Sequence, residues 1–435
     1  MPSRRTFVRT AAAAGVFAGL STAAPAKAAN DKITVALIGC GGRGTGVAGE
    51  FRQLANVEVA YLCDPDESRQ ANAAKTFGLP ANRVVTDLRK VLDDKSLDAV
   101  IVATPDHWHA PAAILACDAG KHVYVEKPCS HNVREGRLLV EAARRNKRVV
   151  QHGTQSRSMP LIAGAIQMIR EGQIGDVLVA KAWNVQRRSL IGKEKPGPSA
   201  PPGYDLWVGP AAMLPFQANR YHYHWHWWHN FGTGDIGNDG VHEIDYARWG
   251  LGVETHPTTI AGLGGKYFFD DDQEFPDTAT VVFDYPGDGQ VGHKRQLIFE
   301  MRIWSGNYPQ NIDNGVEYYG TKGSIVVTKR GKLELRDDKN KKVEDAQPKT
   351  PPPLKFDHHQ RDFVEAIRDG HTPNAEIELG HLSSSLAHLA NIAVRAGKSL
   401  TFDVRKEQIT NDEAANKLLS RPYRDGGHWA IPSGV

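Results

Sequence analysis

The stretch "ITVALIGCGGRG", Ile33 to Gly44, constrains the fold of this chain more than any other. An apolar strand runs into Gly39-Cys40-Gly41-Gly42-Arg43-Gly44, and a helical segment follows at once. A GxGxxG hexapeptide alone says little, because glycine-rich turns are common. Set between strand and helix, it matches the turn that cradles a dinucleotide pyrophosphate. The glycines permit a tight turn and close backbone approach, and the helix N-terminus faces the phosphates. The next hundred residues keep the same rhythm. Apolar runs ("VEVAYLC", "RVVT", "LDAVIVAT", "HVYVE", "RVVQHG") alternate with amphipathic stretches such as "NVREGRLLVEAARRN". Strands alternating with helices predict an α/β fold with a doubly wound parallel Rossmann sheet.

Beyond Gly153 the texture changes. "TATVVFDYP" and "RQLIFEMRIW", separated by the Pro286-Gly287-Asp288-Gly289 turn, alternate with period two and predict an antiparallel sheet. A chain of 435 residues exceeds what one core usually serves. Two domains are therefore expected: residues 30–153 for the nucleotide, and residues 154–435 as an α/β domain for substrate and self-association. In the second, "HHQRDFVEAIRDG" and "HLSSSLAHLANIAVRAG" should pack back as helices. Residues 190–203 and 336–353 read as loops.

Residues 1–29 read as a twin-arginine export signal. Arg4 and Arg5 precede an apolar run and an Ala26-Lys27-Ala28 cleavage site, and the run is too short to span a bilayer. A periplasmic or otherwise exported protein is expected, handled by the twin-arginine machinery and without stable membrane insertion. The formal net charge of +3 has no basic stripe, which argues against nucleic acid as a partner. The four cysteines lack CxxC spacing, so neither a zinc ribbon nor a disulfide scaffold is indicated.

Three further segments carry chemistry. Asp64 ends the second strand about 20 residues after the glycines, where a carboxylate can hold ribose hydroxyls. With Asp66 beside it, NAD is expected in preference to NADP. "VATPDHWHAP" ends the fourth strand, which puts Thr104, Pro105 and His107 on the nicotinamide side. "YVEKPCS" ends the fifth with Glu126-Lys127-Pro128, and an ammonium at that edge would face the reacting atoms. After the sixth strand, "QHGTQSRS" offers Gln151, His152, Thr154, Gln155 and Arg157 as a polar floor.

The fingerprint, Glu126-Lys127-Pro128 and the later "DIGNDGVHEIDYARW" together resemble the Gfo/Idh/MocA oxidoreductases, named for glucose-fructose oxidoreductase and inositol dehydrogenase. The resemblance extends from Ile33 nearly to the C-terminus, through "YDLWVGP" and "HLANIAVRAG". It implies a C-terminal domain with a large open-faced antiparallel sheet, often an oligomer interface, and hence a homo-oligomer such as a dimer or tetramer. It also implies catalytic roles for Lys127 and His242 on either side of a substrate carbinol. Many relatives carry an aspartate four residues before that histidine, where this chain has Asn238. Asp235 and Asp239 are candidates to supply the missing charge.

"YHYHWHWW", residues 221–228, reads as a strand with Tyr221, Tyr223, Trp225 and Trp227 on one face and His222, His224 and His226 on the other. No converging ligand set is apparent, so no metal is expected. Tyr204, Trp207, Arg220, Tyr221 and Asp239, with Gln155, Arg157 and His242, are the substrate-contact candidates. The expected function is NAD-dependent oxidation of a ring hydroxyl on a sugar, glycoside or cyclitol, with tightly held cofactor. Two alternatives stand: a redox-neutral glycosidase or lyase that oxidises its substrate transiently, and a nucleotide-sensing binding protein.

Overall fold

The computed structural model describes residues 32–352 and 354–435, so the segment read as an export signal lies outside the described residues. Six parallel strands open the fold: β1 (Ile33–Ile38), β2 (Val57–Cys63), β3 (Val84–Val85), β4 (Ala99–Val102), β5 (His122–Val125) and β6 (Val150–His152). Their order, β3-β2-β1-β4-β5-β6, is that of a dinucleotide-binding sheet. Both faces are covered, so β1 is almost entirely buried. Val35 and Leu37 pack with Phe51 of α1 (Gly42–Arg52) and Phe77 of α2 (Glu67–Phe77). Ala36 and Ile38 join a second core with α3 (Leu88–Leu92), α4 (Asp106–Asp118) and α5 (Val133–Asn146). The helix starts are legible in side chains: the Asp66 carboxylate caps α2 through the amides of Ser68 and Arg69, and Asn132 caps α5.

After α6 (Pro160–Arg170) the chain enters β7 (Val177–Val185), the centre of a ten-stranded sheet. A short helix, α7 (Tyr204–Val208), follows, then α8 (Val241–Leu251). The sheet is completed by β8 (Thr259–Gly265), β9 (Thr278–Tyr285), β10 (Arg295–Arg302), β11 (Asn314–Gly320), β12 (Gly323–Val327), β13 (Leu333–Asp337) and β14 (Lys342–Val343). Helices α9 (His359–Asp369) and α10 (Ile377–Ala396) come next, and β15 (Leu400–Asp403), β16 (Gln408–Ile409) and α11 (Glu413–Lys417) close the chain. The strand order is β14-β13-β12-β11-β7-β10-β9-β8-β15-β16, antiparallel except where β7 meets β10. One face is apolar and covered: Val281, Phe283, Leu297 and Phe299 pack against α6, α8 and α10. Helix α9 returns to the first sheet, where Phe363 meets Phe51 edge-on at 5.8 Å and Phe51 in turn meets Tyr124 at 5.4 Å. Among the described residues, no helix is long and apolar enough to cross a membrane.

The strand expected at residues 221–228 does not form. His224–Trp227 is a 3₁₀ turn, and His222 adopts a left-handed backbone with φ 54°. The reason lies in the rings. Sequence neighbours stack on one another, Tyr221 on His222 at 3.7 Å and Trp225 on His226 at 3.6 Å, which an extended chain with opposed side chains forbids. The alternation was aromatic against aromatic, not apolar against polar. Tyr221 and Trp227 enter a cluster with Trp207, Trp228 and Phe231, whereas Tyr223 and Trp225 turn towards a cavity.

Candidate active site

A cavity of about 540 Å³ runs along the carboxyl edge of the first sheet. Its floor is the glycine turn. Gly39 has φ 98°, and a side chain there or at Gly44 would collide with backbone, at Ala103 and at Gly39 itself. Gly42 has open space where its Cβ would be. Helix α1 has no side-chain cap on its first turn, which leaves its amides free for an anion. These features fit a dinucleotide pyrophosphate. Cys40 contributes backbone only: its amide donates to Asp64 Oδ2 (2.7 Å), and its buried thiol lies 3.7 Å from the Cys63 carbonyl. Arg43 is clamped by Glu126, with Nη2 to Oε1 at 2.7 Å.

Asp64 lines the cavity, and burial raises its carboxyl while the amides of Asp66 and Cys40 work against that rise. Asp66 is occupied otherwise than expected. Besides capping α2, its carboxylate meets His222 Nε2 at 3.0 Å. Arg69, not singled out by the sequence, also lines this end, with its guanidinium against Gly41.

Thr104 and Pro105 line the cavity, but His107 does not. Its ring turns into the aromatic cluster beside Trp207 and Phe231, and Nε2 donates to the Trp207 carbonyl at 2.7 Å. The cause is that α4 starts at Asp106, so His107 and His109 point apart around a helix. His109 takes the lining position, bonded to the Pro128 and Thr104 carbonyls at 2.6 and 2.8 Å.

Lys127 projects from the end of β5 and donates to both the carbonyl and, at 3.2 Å, the side-chain Oδ1 of Asn238. Asn238 sits in a single π-helical turn, Ile236–Gly240, immediately before α8. Gly240 lets that turn press on the Phe299 ring. The Asn238 amide donates to Asp235 Oδ1 at 3.1 Å, and Asp235 also takes Arg188 Nη2 at 2.9 Å. Asp239 receives Gln186 Nε2 at 2.7 Å and the Arg188 guanidinium. Burial opposes ionisation of Asp239, but Lys127, Lys329 and Arg188 hold its carboxyl well below the usual range.

His242 is buried in the first turn of α8, and its Nδ1 has no hydrogen-bond partner. Burial, then the ammonium groups of Lys329 and Lys127, push its proton affinity far down. Lys329 comes from the turn after β12 and lies 3.1 Å from Glu243 Oε1. Burial pushes the Glu243 carboxyl up to about 7 against that ammonium. Arg188 and Lys329 were absent from the sequence reading. Each lies in a basic loop that looks solvated until the sheet folds it inwards.

Several expected substrate contacts are engaged elsewhere. Arg157 forms a buried pair with Asp245 at 2.8 Å and lies over the Trp249 ring. Arg220 bonds Gln217 and the Pro215 carbonyl and covers Trp228 at 4.3 Å. Tyr204 stacks on Trp207 and donates to the Leu214 carbonyl, and Tyr221 packs against the same tryptophan. Of these rings, Trp207 lines the cavity, joined by Tyr223, Trp225 and His226. Gln155 Oε1 and both His152 ring nitrogens are buried without partners.

A cluster of metal-ligand type does occur among the described residues, away from this cavity: His256, His381 and Glu407. Both imidazoles meet Glu407 Oε1 at 2.9 Å, and Arg137 holds the same oxygen at 2.8 Å. A guanidinium already fills that carboxylate's coordination.

The pattern of the oxidoreductase family with an NAD-binding Rossmann fold matches residues 33–154, and that of the family's C-terminal α/β domain matches residues 310–431. Between them they span over half of the chain. The chain belongs to the Gfo/Idh/MocA oxidoreductase family. NAD is accordingly the cofactor of the glycine-floored cavity. A glycosyl hydrolase family 109 protein of Shewanella pealeana is 31% identical over 162 residues, 35% of each chain. A levoglucosan dehydrogenase of Pseudarthrobacter phenanthrenivorans is 29% identical over 191 residues, 44% of this chain and 42% of that one. The chain thus matches less than half the length of these family members. The fold is also that of the aldose-aldose oxidoreductase of Caulobacter crescentus, solved with glycerol: TM-score 0.64, 18% identity, covering 85% of this chain and 100% of the other.

Proposed function

We propose that the protein oxidises a secondary hydroxyl of a neutral carbohydrate or cyclitol, with His242 taking the hydroxyl proton. The carrying observation is the Lys127 ammonium lining the NAD groove, held there by Asn238 four residues before the buried His242, whose Nδ1 has no hydrogen-bond partner. NAD, when bound, supplies the acceptor for the hydride leaving the carbinol carbon. Lys127 stabilises the negative charge that develops on the oxygen, and Asn238 fixes where that ammonium points. The depressed proton affinity of His242 favours the unprotonated ring that a general base needs. Arg188 is matched by Asp235 and Asp239, and Lys329 by Glu243, so these two buried cations are already neutralised, which supports a neutral substrate. Asp64 supports NAD over NADP.

A second reading is redox-neutral glycoside cleavage, in which the oxidised sugar is reduced again before release. It is supported by the walls around the NAD groove and by the relative named as a family 109 glycosyl hydrolase. The export pattern in residues 1–29 supports action in the periplasm, and the exposed face of the ten-stranded sheet supports a homo-oligomer.

The test is incubation of the purified full chain with neutral sugars, glycosides and cyclitols, with and without added NAD, and NMR of the products. A keto-sugar is expected; free sugar without net NAD reduction selects the second reading. Lys127→Ala and His242→Ala should each lose roughly 10²–10⁴-fold in turnover with NAD still bound. Near-normal turnover in either variant removes that residue from the mechanism, and conversion of acidic sugars alone defeats the substrate reading.

A further inference from the structure

The dinucleotide crevice of a doubly wound sheet opens at the surface beyond the carboxyl ends of its strands. Here two segments from the far part of the chain wall it. The first is the aromatic loop. Tyr221 is anchored among Trp207, Tyr204 and Phe216, with its ring 5.0 Å from that of Trp207. The left-handed backbone at His222 then swings that imidazole onto Asp66, next to the ribose-side Asp64. A non-glycine residue in this conformation needs compensating contacts, and the Asp66 carboxylate and the Tyr221 ring supply them.

The second wall is the C-terminal strap. It is fixed along its length to the Rossmann helices: Arg421 to Glu135 at 2.7 Å, Tyr423 to Glu135 at 2.9 Å, and the Gly434 carbonyl to Arg134 at 2.9 Å. Between these anchors, Trp429 stands 5.5 Å from Trp108, with the Arg89 guanidinium 4.5 Å from its ring centre. Both tryptophans line the cavity beside Thr86, Asp87 and Leu88 at the end of β3. The β1–β3 half of such a sheet takes the adenosine. Trp429 is only partly buried, whereas its neighbour Ala430 is the residue that plugs the core. The part of the indole that stays uncovered therefore faces the cavity.

We propose that Trp429 and His222 are cofactor-retaining residues, which wall the adenine and latch the ribose side so that NAD stays resident through many turnovers. The aromatic face supplies a stacking surface for the adenine half, and the latch must open before the nucleotide can leave. This role is independent of which hydroxyl is oxidised, since its readout is nucleotide exchange.

The test follows replacement of the bound nucleotide in the full-length protein by isotopically labelled NAD, read by mass spectrometry. Slow exchange is expected for the unaltered protein. Trp429→Ala and His222→Ala should each exchange about tenfold faster, while Trp429→Phe stays near the unaltered rate. Unchanged melting temperatures would show that the walls, not the fold, were altered. If Trp429→Ala fails to fold, His222→Ala decides, because its side chain is half-exposed on a loop. Wild-type exchange within seconds, or unchanged exchange in the folded variants, overturns the proposal.

Discussion

Asn238 shows how one side chain can move a charge without removing it. It stands where the family resemblance read from the sequence implies an aspartate, and an amide cannot replace that charge. The amide instead bridges the Lys127 ammonium and the Asp235 carboxylate, through Oδ1 at 3.2 Å and Nδ2 at 3.1 Å. The negative charge around this amide lies on Asp235 and Asp239, both tied to Arg188. Asn238→Asp is therefore no benign reversion. It would set two carboxylates against each other in a buried site and remove the donor that Asp235 uses. A destabilisation of roughly 1–3 kcal/mol is expected. The swap variant Asn238→Asp with Asp235→Asn should recover much of it. Thermal denaturation of the single and double variants checks this; an unchanged melting temperature in the single variant contradicts the bridging role.

The β1–turn–α1 unit was the most legible element, and its glycines make separable predictions. A methyl at Gly44 would run into the Gly39 carbonyl, so Gly44→Ala should cost about 1–3 kcal/mol through overpacking and lose NAD binding as a consequence. A methyl at Gly42 meets nothing within 4 Å in the protein, so Gly42→Ala should fold normally but bind NAD more weakly. Melting temperature with and without NAD distinguishes them, and a Gly42→Ala protein with full NAD stabilisation would remove Gly42 from the cradle. Strand existence was readable here because burial on both faces leaves continuous apolar runs, and β9 and β10 because one-sided burial leaves alternation. The aromatic loop was misread because its period-two pattern came from rings that pack on their own neighbours. The lining histidine is His109, two positions along the helix from His107, and Lys329 and Arg188 were invisible because only tertiary folding brings a basic turn to the site. Trp429 lies some three hundred residues from the tryptophan it meets, a pairing no local pattern records.

At the scale of the whole molecule, buried histidines set the response to acid. Burial pushes His107, His152, His226 and His388 down to about 3, and His359 to about 4. In the unfolded chain each would titrate near 6.5. The folded affinities are the lower ones, so the unfolded state binds more protons once pH falls below 6.5. Stability from these groups is complete above that pH and is lost as pH falls from there to about 3. Glu243 acts in the opposite sense. With its carboxyl raised to about 7, the folded state gains a proton there between pH 7 and 4.5 that the unfolded state lacks. Buried Asp64, Asp106 and Asp235 also shift upwards, each chiefly by burial, and add to that opposition. Around pH 5.5 the five histidines outweigh these carboxyls, because all five are charged in the unfolded chain and neutral in the fold. The melting temperature should therefore fall steadily from pH 7 to pH 5, with net proton uptake on unfolding that calorimetry in buffers of different ionisation enthalpy can count. A melting temperature that is flat or rising over that interval would mean that the buried imidazoles already carry their protons in the folded protein.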